Sequence, residues 1–115
     1  MEHRSQLLKG VLDMCLLALI AEQPSYGYEM VRKLEARGLD LVSEGSIYPM
    51  LSRMQHQRLV EGFYEHSPAG PVRKYYRIRH EGEEHLARWR EDWTRVATGV
   101  EMVLQGEDGS KGGRG

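Results

Sequence analysis

The sequence predicts a mainly α-helical fold with one small β-hairpin and a long helix at the C-terminal end. Apolar residues recur at helical spacing in three segments before residue 60, a run rich in β-branched and aromatic residues follows, and an apolar heptad pattern comes last. With 115 residues, of which 40% are hydrophobic and 29% charged, the chain is long enough for one domain with a modest core.

The first helix is predicted from Ser5 to about Ala21. Its second half is apolar nearly all round, which is typical of a helix buried on several sides or at a subunit interface. Pro24 ends it, because the residue before a proline disfavours the α conformation. The apolar stripe consists of Leu7, Leu8, Val11, Leu12, Cys15, Leu16 and Leu19.

The apolar run over 14–20 is far shorter than the ~20 residues that span a bilayer. Charged residues precede it and no small-residue cleavage site follows, so we expect a cytoplasmic protein without a signal peptide. Cys15 is the one cysteine, which excludes an internal disulfide and a cysteine-based zinc site. We interpret it as a small buried hydrophobe.

A second helix is predicted from Ser25, whose hydroxyl offers an N-cap, to about Arg37. Gly38 is expected to end it in the left-handed conformation. A short connector over 39–42 follows. The residues on one face of this helix are Tyr28, Val31 and Leu34.

A third helix opens at Ser43 or Gly45 and continues to about Arg58. Pro49 is expected in its first turn, where a missing N–H costs nothing. The buried stripe consists of Ile47, Met50, Leu51 and Met54, and the other side carries Ser46, Tyr48, Ser52, Arg53, Gln55 and His56.

From Leu59 the spacing changes to that of strands. A short strand contains Val60, Phe63 and Tyr64. Residues 67–71 have the composition of a turn, and 72–78 is the strongest strand in the sequence. The two strands predict one β-hairpin. Because an isolated hairpin is barely stable in water, it must pack on the helices.

A last helix is predicted from Glu81 to Leu104, followed by a disordered tail over 106–115. Its apolar residues lie alternately three and four apart, which is the seam of a coiled coil. A small domain cannot cover such a seam along a helix of about 36 Å, so we expect a two-fold homodimer; packing on the first helix alone is the alternative. The seam consists of Leu86, Trp89, Trp93, Val96, Val100 and Val103.

Three helices, a hairpin and a long helix predict a winged helix-turn-helix domain over 1–80 and a C-terminal dimerisation helix over 81–105. In such a domain the third helix enters the major groove of DNA. The polar face described above suits that role. The alternative is that this face is only exposed to solvent and contacts no DNA. Glu44, at the start of this helix, would oppose a bound phosphate if it faced the DNA.

The formal net charge of −1 does not by itself indicate a nucleic-acid partner. The distribution is more informative, because residues 1–80 hold 11 Lys and Arg against 9 Asp and Glu, whereas residues 81–115 hold 5 against 8. The stretch over 73–79 contains four cations and no anion. It predicts a basic wing on the phosphate backbone, with a charge-protected edge strand as the alternative.

Four segments occur in an order and spacing that are specific when taken together: LLKG at 7–10, SYGYE at 25–29, SEGSIYPMLSRM at 43–54 and RKYYRI at 73–78. Through them the chain resembles, over about residues 6–105, the PadR family of bacterial transcriptional regulators. The short last helix is similar to that of the family's short, single-domain subclass. One departure is His80, where the family usually has a threonine that caps the last helix.

The resemblance implies a homodimer that binds an inverted-repeat operator in double-stranded DNA, usually as a repressor. It implies DNA contacts near Tyr26 and Tyr28. It also implies contacts from Ser46 and Tyr48 on the third helix and from Lys74 on the wing. With the polar and basic residues above, the candidate DNA-binding residues are Ser25, Tyr26, Tyr28, Ser46, Tyr48, Arg53, Arg73 and Lys74.

The resemblance also implies a dimer interface made by the first and last helices and, for some members, a flat hydrophobic effector between the subunits. Spacing alone favours bulky core residues for Trp89 and Trp93, so both interpretations stay open. An aromatic or nucleotide-like effector is expected, and a phenolic acid, a cationic drug and a nucleotide remain alternatives. The candidate interface and effector residues are Leu12, Cys15, Leu86, Trp89, Trp93, Val96 and Val100.

Catalysis is not expected. None of the five histidines has the spacing of a zinc-hydrolase motif, no glycine-rich phosphate loop follows a strand, and no nucleophile elbow occurs. We therefore expect neither a cofactor nor a metal. A winged-helix module that binds a protein is the other alternative, and binding that survives high salt would favour it.

Overall fold

The computed structural model describes residues 3–40 and 42–106, and it confirms a mainly helical fold with a small antiparallel sheet. The predicted tail lies outside the described residues from residue 107 onward. No helix in the described ranges is both long and apolar enough to cross a bilayer. The elements are α1 (His3–Lys9), α2 (Leu12–Glu22), β1 (Ser25–Tyr26), α3 (Gly27–Ala36), α4 (Glu44–His56), β2 (Val60–His66), β3 (Val72–Ile78) and α5 (His80–Gln105).

The N-terminal segment forms two helices, so the prediction of a single helix from Ser5 to Ala21 was wrong. The backbone N–H of Gly10 bonds to the carbonyl of Leu7 at 3.2 Å, and that of Val11 to the carbonyl of Leu8 at 3.0 Å. These bonds reach back three residues and close α1 in a tight turn. Glycine favours a break here, since it costs about 1 kcal/mol relative to alanine inside a helix.

Ser25 begins a strand and does not cap a helix as predicted. It pairs with Tyr76 of β3, and Tyr26 becomes the N-cap residue of α3. The backbone N–H of Tyr26 donates to the Glu29 carboxylate at 3.4 Å. A strand of two residues has no alternating pattern by which the sequence could indicate it, and its pairing partner lies on a distant part of the chain.

The C-terminal ends of α3 and α4 share one geometry. After α3, Gly38 has φ +95°, as predicted, and its N–H bonds to the carbonyl of Glu35 at 3.1 Å. After α4, which ends at His56, Arg58 takes the same left-handed position with φ +66°. Its N–H bonds to the carbonyl of Gln55 at 3.0 Å, so the non-glycine residue completes the same motif.

Pro49 lies in the second turn of α4 and not in the first, because the helix already begins at Glu44. The carbonyl of Gly45 consequently has no N–H partner four residues later. Both Gly45 and Pro49 are exposed, so water can bond to this carbonyl. The proline is tolerated because it lies on the solvent side of the helix.

The sheet has the order β1-β3-β2, and all pairs are antiparallel. The predicted hairpin is confirmed, with a register that runs from Val60 opposite Ile78 to His66 opposite Val72. One face of the sheet packs on the helices, and Tyr76 on that face is 5% exposed. The sheet therefore joins the core through its central strand.

The core lies where α2, α3 and α4 meet this face of the sheet. Leu16 of α2, Met30 of α3 and Ile47 of α4 are fully buried there. Leu86 closes the same cluster from α5. Cys15 packs only at its margin and is half-buried, which corrects the prediction of a buried residue. Burial raises the pKa of its thiol, so the reactive thiolate is disfavoured.

Helix α5 starts at His80, one residue before the predicted start, and Arg79 is its N-cap without a side-chain hydrogen bond. Near this start Gly82 lies close to Ile78 of β3. Beyond Trp93 most of the apolar side chains of the helix are exposed. The helix gives the described chain an elongated shape of 58 × 29 × 22 Å.

The close approach of α5 to Leu59, the residue before β2, allows a matched test with two glycines of the same helix. A Cβ added at Gly82 would overlap the carbonyl oxygen of Leu59, whereas one at Gly99 would meet nothing within 4 Å. We expect Gly82→Ala to lower the free energy of unfolding by about 1–3 kcal/mol. Gly99→Ala should raise it by roughly 0.5–1 kcal/mol. Urea denaturation followed by circular dichroism, at one protein concentration, measures both; equal effects of the two substitutions would contradict the close approach at Gly82.

Candidate DNA-binding surface and adjoining groove

The N-terminal parts of α3 and α4 meet at Tyr48. Its ring lies against the backbone of Gly27, where an added Cβ would come within 2.7 Å of the Tyr48 hydroxyl oxygen. The hydroxyl donates to Oε2 of Glu44 at 2.7 Å. Burial, together with this hydrogen bond, raises the pKa of Tyr48 to about 12, so the hydroxyl stays a donor at neutral pH.

Two further tyrosines stand at the start of α3. Tyr28 is 43% exposed, and its hydroxyl accepts a hydrogen bond from Arg32 Nη1 at 3.2 Å. Tyr26 packs edge-on against Tyr75 of β3, with 5.1 Å between ring centroids. The Arg73 guanidinium lies 5.4 Å from the centroid of the Tyr26 ring. The start of α3 is thereby joined to the wing.

Ser25 is 0% exposed, so its side chain is not available to a partner, contrary to the expected contact. Its hydroxyl donates to the carbonyl of Gln23 at 3.2 Å and accepts from Lys33 Nζ at 2.8 Å. Because both bonds lie inside the domain, Ser25 supports the start of α3 and does not form part of the surface.

The four cations of the wing fall into two groups. Arg77 pairs with Glu61 at 3.5 Å, and Arg79 pairs with Glu61 at 3.6 Å and with Glu81 at 3.5 Å. Arg73 and Lys74 have no ion-pair partner within the described part of the chain. Unpaired positive charge on the wing is therefore carried by Arg73, which lies beside Tyr26, and by Lys74, and not by the cations at the base of the hairpin.

The aliphatic part of the Lys74 side chain packs on the neighbouring strand. The side chain crosses Gly62 on the neighbouring strand, where a Cβ would overlap Lys74 Cε, and Nζ lies 5.4 Å from the centroid of the Tyr76 ring. Lys74 is half-buried as a result. Sequence reasoning missed the roles of Gly27 and Gly62, because no local pattern indicates which side chain will cross a distant glycine.

Helix α4 does not present all of its predicted residues on one side. Arg53 Nη2 pairs with Oδ2 of Asp13 on α2 at 3.3 Å. It lies five residues after Tyr48, hence about 140° away around the helix. Ser46 is exposed, with its hydroxyl 2.9 Å from that of Ser43. Tyr48 therefore faces α3 and the wing, whereas Arg53 faces α2.

A groove of about 630 Å³ runs between the N-terminal helices and α5. Leu7, Val11 and Met14 form one wall, and exposed residues of α5 form the other. Of the seven predicted interface residues, Leu12 and Leu86 are buried in the core and Cys15 and Trp89 are half-buried. The remaining three are 49–57% exposed and line the groove together with Trp89: Trp93, Val96 and Val100.

Asp13 links the groove to α4. It lies on the wall of the groove and also pairs with Arg53. Asp92 and Glu101 add negative charge at the rim, and Lys9 adds one positive charge. Within the described residues, no group of three or more His, Cys, Asp or Glu is arranged to hold a metal ion.

A model of the PadR-like family of transcriptional regulators matches residues 16–88. The crystal structure of a PadR-like transcriptional regulator from Bacillus cereus is similar, with 49% identity, 89% of this chain and 99% of that chain covered, and a TM-score of 0.80. The crystal structure of a Streptococcus transcriptional regulator is also similar, with 38% identity, 86% of this chain and 97% of that chain covered, and a TM-score of 0.78. A protein from Lysinibacillus sphaericus is 30% identical over 105 residues, which are 90% of this chain and 96% of that protein.

The matched range contains α3, α4, the whole hairpin and the start of α5. It therefore includes the three tyrosines and the two unpaired wing cations described above. The chain belongs to the PadR-like family of transcriptional regulators, which regulate transcription by binding DNA.

Proposed function

We propose that the chain is a homodimeric, sequence-specific repressor that binds an inverted-repeat operator. The observation that carries the proposal is the surface formed by Tyr26, Tyr28, Tyr48, Arg73 and Lys74. It combines the hydroxyl groups of Tyr26 and Tyr28 at the start of α3 and the Tyr48 side chain of α4 with the unpaired cations of the wing. Hydroxyl and cationic groups are the usual donors to phosphate oxygens.

In the proposed complex α4 lies in the major groove and the wing follows the backbone beside it. The exposed side of α4 carries Gly45, Pro49 and Ser52, which are small enough to allow close approach to the bases. Ser46 and Tyr48 flank this side, and the wing brings a positive charge. Arg53 joins the set of contacts by exchanging Asp13 for a phosphate, since its guanidinium is half-exposed.

The dimer is supported by the exposed apolar residues of α5. Val96, Val100 and Val103 lie 49–78% exposed on the seam, together with Trp93. A second copy related by a two-fold axis would bury this seam and place two α4 helices at half-sites about 34 Å apart. The groove against α1 and α2 would then lie at the subunit interface.

We further propose that a planar effector enters this groove beside Trp93. Its walls are apolar and its rim is mainly acidic, which favours an aromatic molecule with positive or hydrogen-bond-donating groups. Because Asp13 pairs with Arg53, a ligand that engages Asp13 would change the position of α4. The groove and the DNA surface are thus connected by one ion pair.

Replacement of Lys74 tests the DNA contact. Lys74→Met keeps an unbranched side chain over Gly62 and removes the charge, so we expect weaker DNA binding. The slope of the logarithm of the binding constant against the logarithm of the salt concentration should also become smaller, by about 0.9 for each phosphate that Lys74 neutralises in the wild type. Fluorescence anisotropy of DNA from the upstream promoter, titrated at several salt concentrations beside a scrambled duplex, measures both quantities.

Arg88→Met is the matched control, because Arg88 is an exposed cation on α5 and its replacement should leave the salt slope unchanged. An unaltered slope in Lys74→Met would exclude the wing contact. Equal binding of the wild type to promoter and scrambled DNA, unaffected by salt, would favour a protein-binding module.

A charge on the seam tests the dimer. Val100→Glu should raise the dissociation constant of the dimer on the order of 100-fold, because an unpaired carboxylate would be buried in the interface. Thr98→Glu, an exposed position on the other side of α5, should have little effect. Sedimentation velocity over a dilution series measures both; an unchanged dimer in Val100→Glu would refute the interface.

Single-tryptophan variants test the effector site, since the chain has two tryptophans. In Trp89→Phe the fluorescence reports Trp93 alone. Of three probes, a phenolic acid, a planar aromatic cation and a nucleotide, we expect the cation to quench this fluorescence most strongly, because the rim of the groove is mainly acidic. In Trp93→Phe the same probe should quench less, because Trp89 is half-buried against His85. Because Trp89 also lines this groove, stronger quenching in Trp93→Phe than in Trp89→Phe, or none with all three probes, would count against a site beside Trp93.

A further inference from the structure

Glu44 is a carboxylate on a surface otherwise suited to phosphate. It is the first residue of α4 and is half-buried. Its Oε2 accepts the hydroxyl of Tyr48 at 2.7 Å, and Tyr48 is itself fixed against Gly27. No Lys or Arg within the described residues pairs with Glu44. The negative charge is therefore held in one place and is not neutralised inside the domain.

Such a charge needs a compensating partner when DNA approaches. The helix N-terminus partly stabilises it, but a nearby phosphate would repel it. The alternative is a base that donates a hydrogen bond. The first residues of a recognition helix are those that reach base edges in the major groove. Oε1 of Glu44 accepts no hydrogen bond from the described ranges and is left for that base.

The chemistry of the bases selects cytosine. In the major groove cytosine presents the N4 amine, which is a donor, and a carboxylate can accept its hydrogen bond. Adenine also presents an amine, but its N7 acceptor lies beside that amine. N7 would face the second carboxylate oxygen, which is also an acceptor, so the two would repel each other. Guanine presents only acceptors on this edge, and thymine presents an acceptor and a methyl group.

We propose that Glu44 is a specificity-determining residue that accepts a hydrogen bond from N4 of a cytosine in each half-site, and that Tyr48 is the residue that positions it. The inference rests on the proposed function, because it requires that α4 enter the major groove. It also gives the Tyr48 hydroxyl a role other than direct phosphate contact, since its proton is directed at Glu44.

Selection from a library of randomised duplexes tests the proposal with the full-length protein. The wild type should select a cytosine at one position of each half-site. Glu44→Gln should change the preference at that position alone from cytosine to adenine, because a glutamine amide bonds both N6 and N7 of adenine. The ratio of the two affinities should change by about 5- to 100-fold.

Two further variants separate charge from positioning. Tyr48→Phe keeps the ring on Gly27 but frees Glu44, so the cytosine should remain preferred by a smaller ratio. Glu91→Gln removes an equal charge from an exposed position on α5 and should leave the motif unchanged.

If Glu44→Gln selects the wild-type motif and binds all duplexes more tightly by one common factor, Glu44 only repels phosphate and the inference fails. If the wild type itself selects no motif, the proposed function fails first, and the two failures are thus distinguishable.

Discussion

The strand β3 is the element on which the arrangement of the other parts depends. Tyr76 pairs with Ser25 on one side and with Gly62 on the other, while its side chain is buried in the core. One residue thus connects the start of α3, the other strand of the wing and the helical core. Because an isolated hairpin is barely stable in water, the wing has a defined position only through these contacts. The distance between the tyrosines of α3 and the cations of the wing follows from this pairing.

The paired and unpaired cations of the wing contribute in different ways. Exposed ion pairs add only about 0–1 kcal/mol each, so the contacts of Arg77 and Arg79 with Glu61 do little for stability. They do neutralise charge at the base of the hairpin, and Arg77 also covers the Phe63 ring at 4.0 Å. The charge that remains lies on Arg73 and Lys74. Two of the four cations over 73–79 are therefore available to a partner.

The groove beside α5 and the surface on α4 lie on either side of α2. The Asp13–Arg53 pair joins α2 to α4, and Asp13 also lines the groove. The apolar residues of α5 beyond Trp93 remain exposed in a single copy of the chain. A dimer would cover those residues and also fix the spacing of two α4 helices. The proposed association, effector binding and operator binding would therefore be coupled through α2.

The order of helices, hairpin and long last helix could be predicted from the sequence, as could the Gly38 turn and the apolar seam of α5. Each of these depends on residues close together in the chain. The pairing of β1 with β3, the burial of Ser25 and the division of the wing cations into paired and unpaired ones follow only from the folded structure. So does the fact that Arg53 faces α2 while Tyr48 faces α3. Local spacing records which side chains share a helix face or a strand face, but not which distant backbone, carboxylate or ring each one meets.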